Sequence, residues 1–379
     1  MADEWGSSKG GISTLNRELC KGLAQQPNVV VTLIVPSCEE KEKKAAQDHN
    51  VHLAAAGSEL PGYDSVATFK LAYPPADLAI DVVIGHGRKL GPPANALAQQ
   101  RKCKRVHIVH TASEQIAMYK IKGKAIAEGE SKHQIEVGLS KTADVVVGIG
   151  PKLTENIQIS LRPFKKDEDV FKLTPGIFSE FSEQPLASKD GKLFYTLVFG
   201  RGDYEDFELK GYDIAAKAVA GLKDKTYQLV FVGAPEGEEE KVKENLLTCG
   251  ISRTQLTVRG FRESREKLGE QFSQADLAIM PSRTEGFGLA ALEALSAGLP
   301  ILVSDNSGLG KALAEIPFGT SSVVYSDEHE KWGEAIMRIR KKPRAIRLEE
   351  ARELRSRYNQ KFKWKDQCAA LVDKIRYVM

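Results

Sequence analysis

Short β-branched runs alternate with polar amphipathic stretches along this chain, and near the middle the alternation stops and begins again. Before the break, strands are expected at 29–35, 51–54, 81–85, 105–110 and 144–149, with helices at 11–24, 92–101, 131–142 and 151–161 between them. After it come strands at 193–199, 228–232, 255–259 and 275–280, with helices at 210–222, 241–248 and 263–274. Alternation of this kind implies parallel sheets covered by helices on both faces. A restart implies two such sheets, facing each other across a cleft. The polar stretch 176–190 lacks periodicity and is expected to link them. A predominantly helical segment, 341–379, follows a last strand at 323–325.

At 379 residues the chain is long for one core, which agrees with two domains. No apolar run approaches the length of a membrane span, and no signal-peptide pattern opens the chain. Five scattered cysteines without C-x-x-C spacing read as reduced thiols, which favours the cytosol and argues against a metal site. With 54 basic and 51 acidic residues the net charge is +3, so nucleic acid is not implied as a partner. Basic runs at 101–105, 120–124 and 338–344 read as solvated faces and leave room for a peripheral membrane contact.

The segment Pro281-Ser282-Arg283-Thr284-Glu285-Gly286-Phe287-Gly288 follows an apolar strand and opens a helix rich in Ala and Leu. Backbone N–H groups and the positive end of a helix dipole meet in such a turn, a setting for phosphate. Glu285 and Glu293 frame it, and carboxylates beside a phosphate site suit neutral hydroxyls. Phosphate and hydroxyls together describe a nucleotide-sugar. The same residues satisfy the dinucleotide pattern as Gly286-Phe287-Gly288-Leu289-Ala290-Ala291, with Asp305 downstream. Five residues intervene there between strand and glycine, and no nicotinamide site is evident, so an NAD-dependent dehydrogenase is the weaker reading. P-loop, H-E-x-x-H and G-x-S-x-G motifs are absent.

These residues, with the Gly-x-Pro at Gly298 and the strand 301–304, resemble the E-x7-E region of retaining GT-B glycosyltransferases of family four. The resemblance implies two Rossmann-like doubly wound parallel-sheet domains of α/β class. They are expected at 1–180 on the acceptor side and 190–355 on the nucleotide-sugar side, with 356–379 crossing back to the first domain. Phe362, Trp364, Leu371 and Ile375 would form the docking face of that last segment. The implied reaction moves a sugar from a nucleoside diphosphate, UDP being favoured, to an unidentified acceptor hydroxyl with retention. No metal or cofactor is implied; the nucleotide-sugar is the substrate.

Site residues carry over by position. Arg201 and Lys210, the latter expected to begin a helix, would neutralise the leaving diphosphate. Glu285 would hold the donor sugar, Glu293 the ribose, and His110 the sugar from the first domain. Gly10 and Gly11 would face the donor, Arg259, Gly260 and Phe261 would read the base through backbone, and Gly286, Phe287, Gly288 and Leu289 would hold phosphate. His86 is the weaker strand-end histidine and His107 is read as structural. Asp305, Asn306, Ser307 and Gly308 occupy a further ligand-facing turn. Asp167, Glu168 and Asp169 read as a solvated loop.

Two features depart from the pattern. The family has an apolar strand before the Gly-Gly loop, whereas this chain reaches Gly10-Gly11 almost at once; a missing first strand and membership of a larger multidomain chain are expected. The loop after Arg201 is acidic. Together these motivate an alternative, a nucleotide-sugar-binding domain without catalysis.

Overall fold

The computed structural model describes residues 1–6, 10–56, 67–120, 124–181, 186, 190–261 and 265–379. The chain divides into two compact units, one comprising Met1–Ser113, Glu130–Pro175 and Phe362–Met379, the other Glu114–Gly129 and Gly176–Lys361.

In the first unit every strand pairing is parallel. Strands β1 (Val31–Val35) and β2 (Val51–Ala55) pair as one sheet. Strands β3 (Val82–His86), β4 (Lys104–Val109), β5 (Val145–Ile149) and β6 (Val170–Leu173) form a second, in that order. Between the two, the N–H of Ala2 donates to Ile34 O at 3.0 Å and the Met1 amino group donates to Ile84 O at 3.1 Å. No full strand lies there among the described residues. Every residue of Val145–Ile149 is buried, as a strand covered on both faces requires. Strand β6 carries little periodic signal because its four residues follow a charged run; Asp167–Asp169 forms a 3-10 turn leading into it.

The helix expected from residue 92 begins five residues sooner, as Gly87–Arg101, with Pro92 and Pro93 inside it. Proline disfavours a helix interior, but Leu90, Ala94 and Leu97 bury against β3 and outweigh that cost. Helix Trp364–Val378 lies on helix Gly11–Ala24, where Gln26 donates to Lys365 O at 3.2 Å, and it reaches β6 through Gln367, which accepts from Thr174 N–H at 2.9 Å. Phe362, Leu371 and Ile375 are buried.

The second unit holds strands β7 (Phe194–Phe199), β8 (Tyr227–Ala234), β9 (Leu256–Gly260), β10 (Leu277–Met280), β11 (Ile301–Ser304) and β12 (Val323–Val324). They lie in the order β12-β11-β10-β7-β8-β9, all parallel. The chain winds outward from β7 through β8 and β9, then returns to the other side of β7 with β10. The topology therefore reverses between β7 and β10, where open α/β sheets bind ligands beyond their carboxyl ends. Residues 176–181, expected as linker, instead bury Phe178 and Phe181 completely in this unit. Aromatic burial gives that stretch its place where periodicity is silent; 182–185 and 187–189 lie outside the described residues. Among the described residues no helix is long and apolar enough to cross a membrane.

Candidate donor site at the switch point of the second unit

Arg201 and Glu285 both lie just past the carboxyl ends of the two strands that flank the reversal, β7 and β10. Helix Leu289–Ser296 then starts behind Gly288, whose φ of +102° and ψ of 50° are left-handed. That conformation favours glycine, and a Cβ there would also stand 2.5 Å from the Met280 methyl carbon and displace it. No side chain caps this helix start, which leaves its leading amides without a side-chain acceptor there. The turn is pinned from the next loop: Glu285 N–H donates to Asn306 O at 3.1 Å, and Gly308 and Leu309 donate to Gly286 O and Phe287 O at 3.1 and 2.7 Å. The turn after β11 thus supports the glycine turn through backbone.

Lys210 donates to Glu285 Oε2 at 2.7 Å, both side chains being partly buried. Burial lowers the Lys210 pKa, but the Glu285 charge and hydrogen bond outweigh it and leave the ammonium above its ordinary value. Lys210 does not begin a helix. It sits in a turn, followed by Gly211 in the left-handed region, and the helix runs Tyr212–Gly221. Arg201 lies near enough for its charge to act on Lys210. The Arg201 side chain is 74 % exposed and lies 3.6 Å from Asp203, while Asp206 of the same acidic loop lies 3.2 Å from Lys120.

Residues given no role by the motif hold this arrangement. Arg283 grips Asp213 with both guanidinium ends at 2.8 Å, its side chain reaches Glu208 O, and its N–H donates to Leu209 O at 3.0 Å. Its carbonyl accepts from Asn306 Nδ2 at 2.6 Å. One side chain therefore fastens the loop after β10 to the loop after β7. Burial raises the Asp213 pKa, yet hydrogen bonds and charge from Arg283, with Lys217, hold the carboxyl below its ordinary value. Arg283 belongs to the segment 281–288 and Asp213 to the helix expected at 210–222, and opposite charge is the one signal that links them.

Glu293, 8 % exposed, forms an ion pair with Arg265, which also binds Glu180. No spacing in the sequence couples residues 180, 265 and 293. Arg259 turns its side chain to Gln271 and Gln274 of helix Arg265–Gln274, leaving the backbone of Gly260 and an exposed Phe261 at the end of β9. Residues 262–264 lie outside the described residues.

In the first unit, Gly10 caps helix Gly11–Ala24 with a φ of +103°. His86 Nδ1 and His110 Nε2 stand 2.9 Å apart, a separation that requires one to donate. Burial, then the neighbouring His107, pushes His110 down to about 3. His107 is fully buried against Glu136 at 2.6 Å, the position of a packed histidine. No group of three or more metal-ligating side chains suited to a metal ion is present among the described residues.

A family model described as "Family 4 Glycosyltransferase in conflict systems" matches residues 1–371. The chain belongs to that family. D-inositol 3-phosphate glycosyltransferase of Saccharomonospora viridis is 29% identical over 182 residues, covering 45% of this chain and 41% of its own length. The enzyme of the same name from Corynebacterium jeikeium is 28% identical over 257 residues, covering 62% and 58%. The chain thus spans about half the length of these curated relatives. Among solved structures, sucrose-phosphate synthase of Thermosynechococcus elongatus has a TM-score of 0.74 at 21% identity, covering 100% of this chain and 96% of that one. HepE of Anabaena, in complex with UDP and glucose, has a TM-score of 0.67 at 14% identity, covering 99% and 97%. These likenesses establish the fold, the two-domain Rossmann-like architecture of GT-B glycosyltransferases.

Proposed function

We propose that this member of the family moves a sugar from a nucleoside diphosphate, UDP being favoured, to an acceptor hydroxyl with retention of configuration and without a metal. The observation that carries the proposal is the Lys210–Glu285 pair set at the topological switch point, beside the uncapped start of helix Leu289–Ser296. In the reaction the bond from the anomeric carbon to the β-phosphate oxygen breaks as the acceptor oxygen bonds to the same face. The acceptor proton leaves on a departing phosphate oxygen, so no separate base is required. Negative charge grows on the diphosphate, and Lys210, Arg201 and the amides of Phe287, Gly288 and Leu289 would stabilise it more in the transition state than before. Exposure leaves Arg201 able to exchange Asp203 for phosphate, an acceptor of higher charge.

Glu285 would take the sugar hydroxyls, Glu293 the ribose, and the backbone of Arg259, Gly260 and Phe261 the base. For the first unit we assign His110 and the Gly10-Gly11 turn to the donor, roles that rest on the resemblance. A thermal-shift screen against UDP, GDP and ADP with their sugars tests the donor class, since a ligand at 100 times its Kd should stabilise by roughly 2.7 kcal/mol. Glu285→Gln should abolish transfer in a radiolabelled-donor assay while leaving the fold intact; ordinary turnover would refute the assignment. Excess chelator should leave turnover unchanged, and strong inhibition would reveal a metal requirement.

A further inference from the structure

Arg265 lies between two carboxylates and two buried rings. Its Nε donates to Glu180 Oε1 at 2.8 Å, its Nη1 donates to Glu293 Oε1, and its guanidinium carbon stands 4.5 Å from the Phe181 ring centre and 5.6 Å from that of Phe178. Both rings are fully buried, and Phe178 N–H donates to Ser296 Oγ at 3.0 Å, which ties this stretch to the end of the helix that carries Glu293. The Arg265 and Glu293 side chains are 18% and 11% exposed. A carboxylate so far removed from water needs a cation to remain charged, and a planar fork also fixes its direction.

We infer that Arg265 is a positioning residue that orients the Glu293 carboxylate to read the ribose hydroxyls of the donor. The inference rests on the proposed function, in which Glu293 faces the ribose. A glutamate has three rotatable side-chain bonds, and holding them before the ligand arrives removes an ordering cost from binding. One carboxylate oxygen bonded to Arg265 is compatible with hydroxyl recognition, because a carboxylate accepts about four hydrogen bonds in all. Lysine at this position would keep the charge but lose the fork that spans Glu180 and Glu293.

The test is calorimetric binding of UDP, GDP and ADP to the full chain, each compared with its 2′,3′-dideoxy counterpart. For the base that binds best, the unaltered protein should prefer the ribose form by roughly tenfold or more, and Glu293→Gln should remove that preference. Arg265→Lys should lower the preference by roughly tenfold with little change in affinity for the dideoxy form, an outcome that a purely structural role would not produce. Combined with Glu293→Gln it should add nothing further. If Arg265→Lys keeps the full preference while Glu293→Gln loses it, the role of Arg265 is overturned and the ribose reading survives. If the unaltered protein shows no preference, or binds none of the nucleotides, both fail. Glu180→Gln loosens Arg265 from its far side and should lower the preference part-way. An unchanged preference in that variant counts against the inference even where Arg265→Lys does not fold.

Discussion

At the level of single residues, Arg283 illustrates how a site is held by groups that never touch a substrate. Replacing it by lysine keeps a positive charge but substitutes one point donor for a fork that meets both Asp213 oxygens. The Lys210–Glu285 geometry should loosen, and misplacement on the ångström scale costs up to about a hundredfold in rate. Arg283→Lys and Asp213→Asn should therefore each lower kcat by at least about tenfold, less than additively when combined. Asp213 also makes stability depend on acid. Its folded pKa lies below the ordinary 3.8, so its contribution is present above that value and lost as pH falls through the folded one. The melting curves of the unaltered protein and Asp213→Asn should differ near neutrality and converge in strong acid. His110 acts in a different window. It stays neutral in the fold down to about 3, whereas the unfolded imidazole takes a proton near 6.5, so stability falls as pH drops from 6.5. His110→Gln should flatten that slope in a pH series of thermal melts, and an unchanged slope would contradict the assignment.

At the level of elements, the loops after β7 and β10 meet so closely that one glycine cannot be replaced. Gly211 has a φ of +66°, and a Cβ there would stand 1.9 Å from Pro281 O. Gly211→Ala should destabilise the protein by more than about 1 kcal/mol in urea titrations and should also lower transfer, since the displaced loop carries Lys210. Strands with β-branched runs, and helices with a clear apolar stripe, were legible from the sequence because burial follows periodicity. Glu285, Gly288 and Glu293 were legible as a motif because their spacing is local. Contacts between distant segments were not. Nothing in the order of residues announces that Arg265 reaches Glu293, or that helix Gly87–Arg101 runs through Pro92 and Pro93, since tertiary packing decides both.

At the level of the whole chain, the second unit is tied together far from the proposed chemistry. Asp276, 6% exposed and just before β10, binds Arg344, lies 3.4 Å from Arg347, and accepts from Tyr195 N–H at 2.8 Å. Asp190 accepts from Arg347 at 2.7 Å and from Arg344 N–H at 2.9 Å. Asp276, Arg344 and Arg347 thus form one buried charge group, which Asp190 reaches from the surface and which no motif announces. Asp276→Ala would remove the carboxylate that the buried Arg344 guanidinium binds and should cost about 3–5 kcal/mol by denaturant unfolding. Strands β7 and β10 are in register through Thr196 with Leu277 and Leu197 with Ala278, the pair nearest their carboxyl ends. Past that pair the two loops are braced by side chains and loop backbone, Arg283 binding Asp213 and donating its N–H to Leu209 O. Residues of the acidic stretch 202–209 could accordingly be exchanged during divergence, re-tailoring what the crevice admits while the sheet beneath keeps its register.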